Sequence, residues 1–446
     1  MTQSDETLMN QRNGTGGSPS RSFAALSAPF SASPLHDRAD PWYNTVCKSM
    51  LWEGVAGMAE KSTNVMDYLR WRGDLTLSQD PFNEVDALLL CVLSYIDFTG
   101  VSELQVRDPA GAVPLRQAFE LLGGGGEQLG LSGLDYRPVM EQMASARRFE
   151  GLRLFGYENR HDETAEMQFG ALSFLLPDES VFMAFMGTDR SMVGWKEDFN
   201  MSFLAAVPSQ ERAAEYAAET AALCPGRQLR LGGHSKGGNL AVWAAVHLPE
   251  AVQDRLVAVY NNDGPGFSGD LLDTAEYRRV EERVLNLVPE SSIIGVLMAH
   301  DEDYEIIDSS YYAVMQHEPL SWVVMGNRFV RQEKRTLVGK LSDDVLREWF
   351  ASMTPQEKKA FVDAMFDVLT RGGAITSLKD LPGGLAGGAS FLTRFASADE
   401  DQRSAITEAL RLLAGEVRES LIKGAGDGLS AAKDGLRNLL KDWFKS

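Results

Sequence analysis

Gly233-His234-Ser235-Lys236-Gly237 is the segment whose residue types and spacing best suit covalent chemistry. A serine hydroxyl becomes a useful nucleophile when a sharp strand-to-helix turn lifts its Oγ clear of the sheet. That turn brings strand and helix so close that the neighbouring positions must lack a Cβ, which accounts for the glycines. The N–H of the next residue, Lys236, then points at the oxygen that gains charge during attack, and the helix start adds its dipole. A phosphate-binding loop is excluded, because Ser235-Lys236 reverses the Gly-Lys-Ser/Thr order and the spacing is absent. A Ser-Lys dyad is disfavoured, since adjacent side chains diverge at such a turn. A second donor is expected where an apolar run ends in Phe185-Met186-Gly187-Thr188, with Trp195 and Asp198 beyond it. The Thr188 N–H is assigned that role, with its hydroxyl as helper.

A serine nucleophile needs a base, and the base needs an orienting acid. After a serine on this kind of turn, the acid and then the histidine follow in the chain. His36 lies in the expected disordered arm, His161 is expected to precede the sheet, His234 is expected to turn its side chain away, and His247 rides the following helix near its far end. That leaves His317, in Gln316-His317-Glu318-Pro319, and His300, which leads into Asp301-Glu302-Asp303. His317 is preferred, because the acidic run suits a solvated turn. Two carboxylates stand just past strand ends, Asp263 and Glu290. Asp263 is preferred, because the Asn262-Asp263-Gly264-Pro265-Gly266 turn would hold a carboxylate rigidly.

The elements that must position these groups are legible around them. Apolar runs at 169–176 and 181–186 flank Pro177-Asp178 and read as a hairpin. An Ala/Glu-rich helix at 209–223 follows Pro208. Then come a strand at 228–233, a helix at 238–248, a strand at 256–261, a helical stretch at 272–282 and a strand at 283–288. This alternation predicts a mostly parallel sheet covered on both faces, and with the serine turn it predicts an α/β-hydrolase fold. A helical stretch is expected at 84–98, and the Gly123–Gly126 run marks a turn. Beyond about 340 the chain reads as all helix. Thr354-Pro355-Gln356-Glu357 is a capping box, and Phe361, Met365, Val368 and Leu369 share one face of the helix it opens. The last segment, 429–444, sets Leu436, Leu439, Leu440, Trp443 and Phe444 against Lys433, Arg437 and Lys441. That amphipathic face suits a helical partner first and weak contact with a membrane surface second. The expected organisation is a disordered arm at 1–40, a hydrolase domain with a helical N-terminal part at 41–340, and a helical region at 341–446.

Several of these motifs together resemble the bacterial family known as domain of unknown function 2974. They are Gly-His-Ser-Lys-Gly-Gly-Asn at 233–239, Asn-Asn-Asp-Gly-Pro-Gly-Phe at 261–267, Val-Pro-Glu-Ser-Ser-Ile-Ile-Gly at 288–295 and Gln-His-Glu-Pro-Leu-Ser-Trp at 316–322. Asp-Tyr-Leu-Arg-Trp-Arg-Gly-Asp at 67–74 and Pro-Phe-Asn-Glu-Val-Asp at 81–86 look like its N-terminal part, so the resemblance runs from about 64 to 370. That family is itself similar to the class 3, fungal-type lipases, with Phe-Met-Gly-Thr at 185–188 in place of Phe-Arg-Gly-Thr. The resemblance implies a lipase-like α/β-hydrolase with Ser235 as nucleophile and Thr188 and Lys236 as oxyanion donors. Two positions depart from the lipase pattern. Lys236 stands for the usual leucine, and Asn286 stands where the lipases have their aspartate, which again favours Asp263 as the acid.

Charge and cysteine usage narrow the partners. The 446 residues carry 43 Lys and Arg against 63 Asp and Glu, a net charge of −20 that suits no nucleic acid. Cys47, Cys91 and Cys224 are odd in number and far apart, so neither a disulfide framework nor a CxxC metal site is expected. No signal peptide or membrane span is legible, and a cytoplasmic protein is expected. The function expected is a serine esterase using Ser235, His317 and Asp263 on a small-molecule or lipid ester, with no cofactor and no metal. The competing reading is a non-catalytic hydrolase-fold scaffold whose arm and last helix serve interaction.

Overall fold

Short apolar runs broken by turn residues become the eight strands of one sheet, whose spatial order is the chain order. The computed structural model describes residues 63–123, 129–130, 134–267, 271–292, 294–296, 298, 304–311, 313–336, 345–370 and 394–423. The arm at 1–40, the Gly123–Gly126 run beyond Gly123, and the last helix at 429–444 lie outside these residues. So do Cys47, His36 and His300.

The strands are β1 (Val113–Pro114), β2 (Arg153–Asp162), β3 (Met167–Leu175), β4 (Val181–Phe185), β5 (Leu229–His234), β6 (Leu256–Asn262), β7 (Val284–Pro289) and β8 (Tyr304–Ile307). β1 to β4 pair antiparallel, and β4 to β8 pair parallel. β3 and β4 form the hairpin expected around Pro177-Asp178. Pro208 opens the helix Pro208–Leu223, where its missing N–H removes no helical bond. Helices Pro208–Leu223 and Lys236–His247 lie between β4 and β6 in the chain, and their Ala-rich faces bury against the strands. The opposite face is covered by the helix Glu84–Leu93, all ten of whose residues are buried. With a serine turn at the carboxyl end of β5, this is an α/β-hydrolase fold. The stretch at 272–282 is less regular than expected: a helix at Ala275–Val280 lies between single 3-10 turns.

The N-terminal motifs serve the fold. Arg148 and Asp86 are fully buried and paired through two bonds of 2.6 and 2.5 Å, while Tyr68 Oη donates to the same carboxylate at 2.8 Å. Asp86 also accepts from the Asn83 N–H at 3.0 Å, capping its own helix. Removing one partner leaves a buried charge uncompensated. Arg148→Met is therefore expected to lower the unfolding free energy by about 3–5 kcal/mol. Urea unfolding followed by circular dichroism checks this, and a loss below about 1 kcal/mol would contradict the ion pair.

After the sheet, the capping box forms as read, with the Glu357 carboxylate accepting from the Thr354 N–H at 2.7 Å and the Thr354 hydroxyl capping the Glu357 N–H at 3.3 Å. The helix it opens, Pro355–Thr370, packs with Glu400–Lys423 around Trp349, Phe361 and Ile406. This pair also meets the helix Met192–Asn200, through a 2.8 Å Lys196–Asp363 ion pair and the Phe199 and Phe366 rings. No helix among the described residues is long and apolar enough to cross a membrane.

Candidate active site

Ser235 stands between the end of β5 and the start of the helix Lys236–His247, at φ 59° and ψ −136°. A non-glycine residue holds such angles only when its surroundings impose them. The surroundings here are backbone. A Cβ on Gly233 would lie 2.0 Å from the Gly237 carbonyl carbon, and one on Gly237 would lie 2.1 Å from the Phe185 carbonyl oxygen. A Cβ on Gly238 would meet Asn261 Oδ1 at 2.1 Å. The glycines therefore let the turn sink between β4 and β6. The Ser235 N–H donates to the Asn262 carbonyl at 3.0 Å, and Gly238 N–H donates to the Ser235 carbonyl at 2.8 Å. Ser235 is 8% exposed, and among the described residues its Oγ has no hydrogen-bond partner.

β4 runs beside β5 with Phe185 opposite Gly233, so the chain leaving β4 passes next to the serine. A Cβ on Gly187 would lie 3.1 Å from Ser235 Cβ and 2.6 Å from the His234 carbonyl oxygen. This brings the start of the Thr188 segment alongside the first turn of the elbow helix, where Lys236 supplies an N–H without a helical partner. Thr188 is buried, and its hydroxyl donates to Asp198 Oδ2 at 2.5 Å.

His317 and Asp263 are brought together, although 54 residues separate them: Nδ1 lies 2.6 Å from Asp263 Oδ2. Asp263 is fully buried at the end of β6, at φ 55°, and its N–H donates to Leu287 O at 2.8 Å. Ser292 Oγ donates to the same carboxylate oxygen at 2.8 Å. With Nδ1–H engaged by Asp263, Nε2 of a neutral His317 is left as an acceptor. Glu290 follows β7, its N–H donates to Ile307 O at 3.1 Å, and among the described residues it makes no bond to His317. Burial raises its pKa. Asn286 faces Asn261, whose Nδ2 donates to its Oδ1 at 2.9 Å, and so lies in the strand ladder.

The loop carrying His317 is anchored by its neighbours in the sequence. Gln316 Oε1 accepts from Ser291 N–H at 2.7 Å, Trp322 Nε1 donates to Gln316 O at 2.9 Å, and Tyr136 Oη donates to the buried Glu318 at 3.0 Å. The Gln-His-Glu-Pro-Leu-Ser-Trp motif is thus a set of anchors around one histidine.

Two histidine readings are corrected. His234 does not turn away: its ring lies 4.5 Å from that of His317, and its Nε2 donates to the His317 carbonyl at 2.7 Å. The small elbow leaves that side chain nowhere to go but against the loop crossing the sheet edge, and Tyr95 Oη closes it off at 3.1 Å from Nδ1. Burial first, and the neighbouring His317 second, hold the His234 pKa well below the usual range, so it is neutral. His161 does not precede the sheet but lies in β2, where it pairs with Asp189, and that hydrogen bond raises its pKa.

Sequence reasoning did not assign the charged cluster behind the elbow. The Lys236 ammonium reaches Gln168 O at 2.9 Å, Gln168 Oε1 at 2.6 Å and Glu197 Oε2 at 3.0 Å, with Asp198 Oδ1 at 3.8 Å. Burial opposes this charge, but Glu197 and Asp198 outweigh it and hold the lysine pKa above its ordinary value. Burial pushes Asp198 the other way, up to about 6, against the pull of Lys236 and the Thr188 hydrogen bond. A signal was present in the sequence: a lysine follows the serine, and two adjacent acids follow Gly187-Thr188.

Residues 143–367 match the family model described as Mbeg1-like. No curated protein matches the sequence. Among solved structures the chain is similar to the Lip2 lipase of Yarrowia lipolytica, at 12% identity and a TM-score of 0.35, over 57% of this chain and 87% of that one.

Proposed function

Because this chain belongs to the Mbeg1-like family, the group that its motifs resemble, we propose that it is a lipase-like serine hydrolase acting on carboxylic esters through Ser235, His317 and Asp263. The observations that carry the reading are the strained Ser235 turn and, on a loop whose His317 carbonyl is bonded to the adjacent His234, a histidine whose Nδ1 is bonded to a buried carboxylate. A backbone held at φ 59° by three glycines does nothing for packing that a relaxed turn would not do better.

The steps follow from the groups. His317 Nε2 takes the proton of Ser235 Oγ as the oxygen bonds to the ester carbonyl carbon, and the carbonyl π electrons move onto oxygen. The Thr188 and Lys236 N–H groups hold that oxyanion. The tetrahedral intermediate collapses, the carbon–oxygen bond to the alcohol breaks, and His317 gives its proton to the departing oxygen. Water, deprotonated by His317, then attacks the acyl-enzyme by the same route, releasing the acid and restoring Ser235. Asp263 keeps Nδ1 protonated and steadies the imidazolium between steps. Positioned proton transfer contributes about 10²–10⁴ in rate and one oxyanion donor about 10²–10³. The reaction so written uses no metal and no organic cofactor. A small-molecule or lipid ester is the substrate class proposed.

A fluorophosphonate probe tests the reading directly. The parent chain is expected to gain one covalent adduct at Ser235, located by peptide mass spectrometry, and Ser235→Ala to gain none. A folded parent chain that stays unlabelled would favour the scaffold reading.

A further inference from the structure

The side chain of Lys236 has no part in the reaction as written, yet it is buried beside the nucleophile with 1% of its surface exposed. Burying an ammonium costs several kcal/mol unless it is paired and hydrogen-bonded. Here all three of its protons are placed, on Gln168 O, Gln168 Oε1 and Glu197 Oε2. Glu197 is itself fully buried, and its carboxylate also accepts from the Gln168 and Ser209 N–H groups at 3.0 and 2.9 Å. One charge therefore balances the other, and the pair ties the elbow helix to β3 and to the helix Met192–Asn200.

A second carboxylate remains. Asp198 follows Glu197 on that helix, and its Oδ1 is buried with no hydrogen-bond partner among the described residues. The cation it faces is Lys236 Nζ, at 3.8 Å. Its Oδ2 is the acceptor for the Thr188 hydroxyl. An orphaned carboxylate oxygen beside an ammonium, with the other oxygen on Thr188, makes a short chain from the elbow to the second strand end.

Resting on the ester-hydrolase reading, we propose that the Lys236 side chain is a positioning residue for the oxyanion hole: its ammonium faces Asp198, Asp198 holds the Thr188 hydroxyl, and the Thr188 N–H is thereby aimed at the same point as the Lys236 N–H. One residue thus supplies the backbone donor of one half of the hole and the side-chain anchor of the other. An apolar residue after the serine could supply only the first. With the ammonium gone, the half-buried Asp198 loses the charge that favours its ionised form, and in the protonated form it competes with Thr188 as a donor.

The test uses the full-length chain, short p-nitrophenyl esters, active sites counted by fluorophosphonate titration, and a trifluoromethyl ketone as a mimic of the tetrahedral oxyanion. Lys236→Met is combined with Glu197→Gln, so that the fully buried Glu197 carboxylate is not left uncompensated. This pair and Asp198→Asn are each expected to lower kcat per titrated site by about tenfold to a hundredfold. KM should stay within about twofold, and ketone affinity should weaken by the same factor as kcat. The triple variant is expected to be no worse than the worse of the two, because both act through Thr188. Unchanged kcat and ketone affinity, or losses that multiply in the triple variant, would overturn the proposal. Should the Lys236 pair fail to fold, Asp198→Asn decides alone, since it keeps the side-chain volume and every hydrogen bond to Lys236. A parent chain that is neither labelled nor active overturns the hydrolase reading itself, whereas a labelled, active parent with unaffected variants overturns only the role of Lys236.

Discussion

Ser235→Ala is expected to lower the hydrolysis of short p-nitrophenyl esters by on the order of 10⁶-fold, leaving only what the oxyanion donors and substrate binding supply. The folded state should hardly notice the change. Among the described residues Ser235 Oγ makes no hydrogen bond, and alanine meets the same strain as serine at φ 59°. Stability is thus expected to stay within about 1 kcal/mol of the parent. The comparison is made with purified protein, titrating substrate on parent and variant while recording their melting curves. A folded alanine variant that retains the parent rate would mean that the chemistry lies elsewhere or that the parent rate is a contaminant's.

Asp263→Asn is expected to lower kcat by about 10⁴-fold, with KM little changed. The cause is the tautomer. Asp263 Oδ2 accepts the Nδ1 proton at 2.6 Å, leaving Nε2 free to receive the serine proton. An amide NH₂ turned toward Nδ1 would reverse this, placing the proton on Nε2 and removing the base. The Ser292 hydroxyl, 2.8 Å from that same oxygen, can accept from an NH₂ as readily as it donates to an oxygen, so it permits this rotamer. Glu290→Gln serves as the comparison, with activity expected within about threefold, since Glu290 makes no bond to His317 among the described residues. An inert Asp263→Asn with a crippled Glu290→Gln would transfer the acid to the neighbouring strand.

Much of the architecture was legible because its causes are local. The hairpin around Pro177-Asp178, the helix opened by Pro208 and the Thr354-Glu357 box each depend on a few adjacent residues whose backbone limits are intrinsic. β2 was not legible for an equally local reason. Gly156, at φ 67°, breaks its ladder where the register shifts between Phe155 and Glu158, and the strand then runs out polar through Glu158-Asn159-Arg160-His161-Asp162. Without alternation, nothing in that stretch announces a strand. β8, four residues long, is too short to carry a period.

The candidate site divides the same way. The serine turn is written into five consecutive residues, because only glycines fit where strand, helix and neighbouring strand touch. The proposed second donor, Thr188, is named from the end of the preceding apolar strand. Sequence also ordered the candidates for acid and base, but it could not bring them together. Whether Asp263 or Glu290 meets His317 depends on the relative lengths of β6 and β7 and on how Gln316, Glu318 and Trp322 pin a loop drawn from far along the chain. The place of His234 beneath His317, and of Lys236 between Glu197 and Asp198, likewise arises only when β3, the helix Met192–Asn200 and the elbow are packed. Steric limits on the backbone act over a few residues and are readable from them. Hydrogen bonds and ion pairs between side chains take whatever partner the folded chain delivers, and that is decided by the tertiary structure alone.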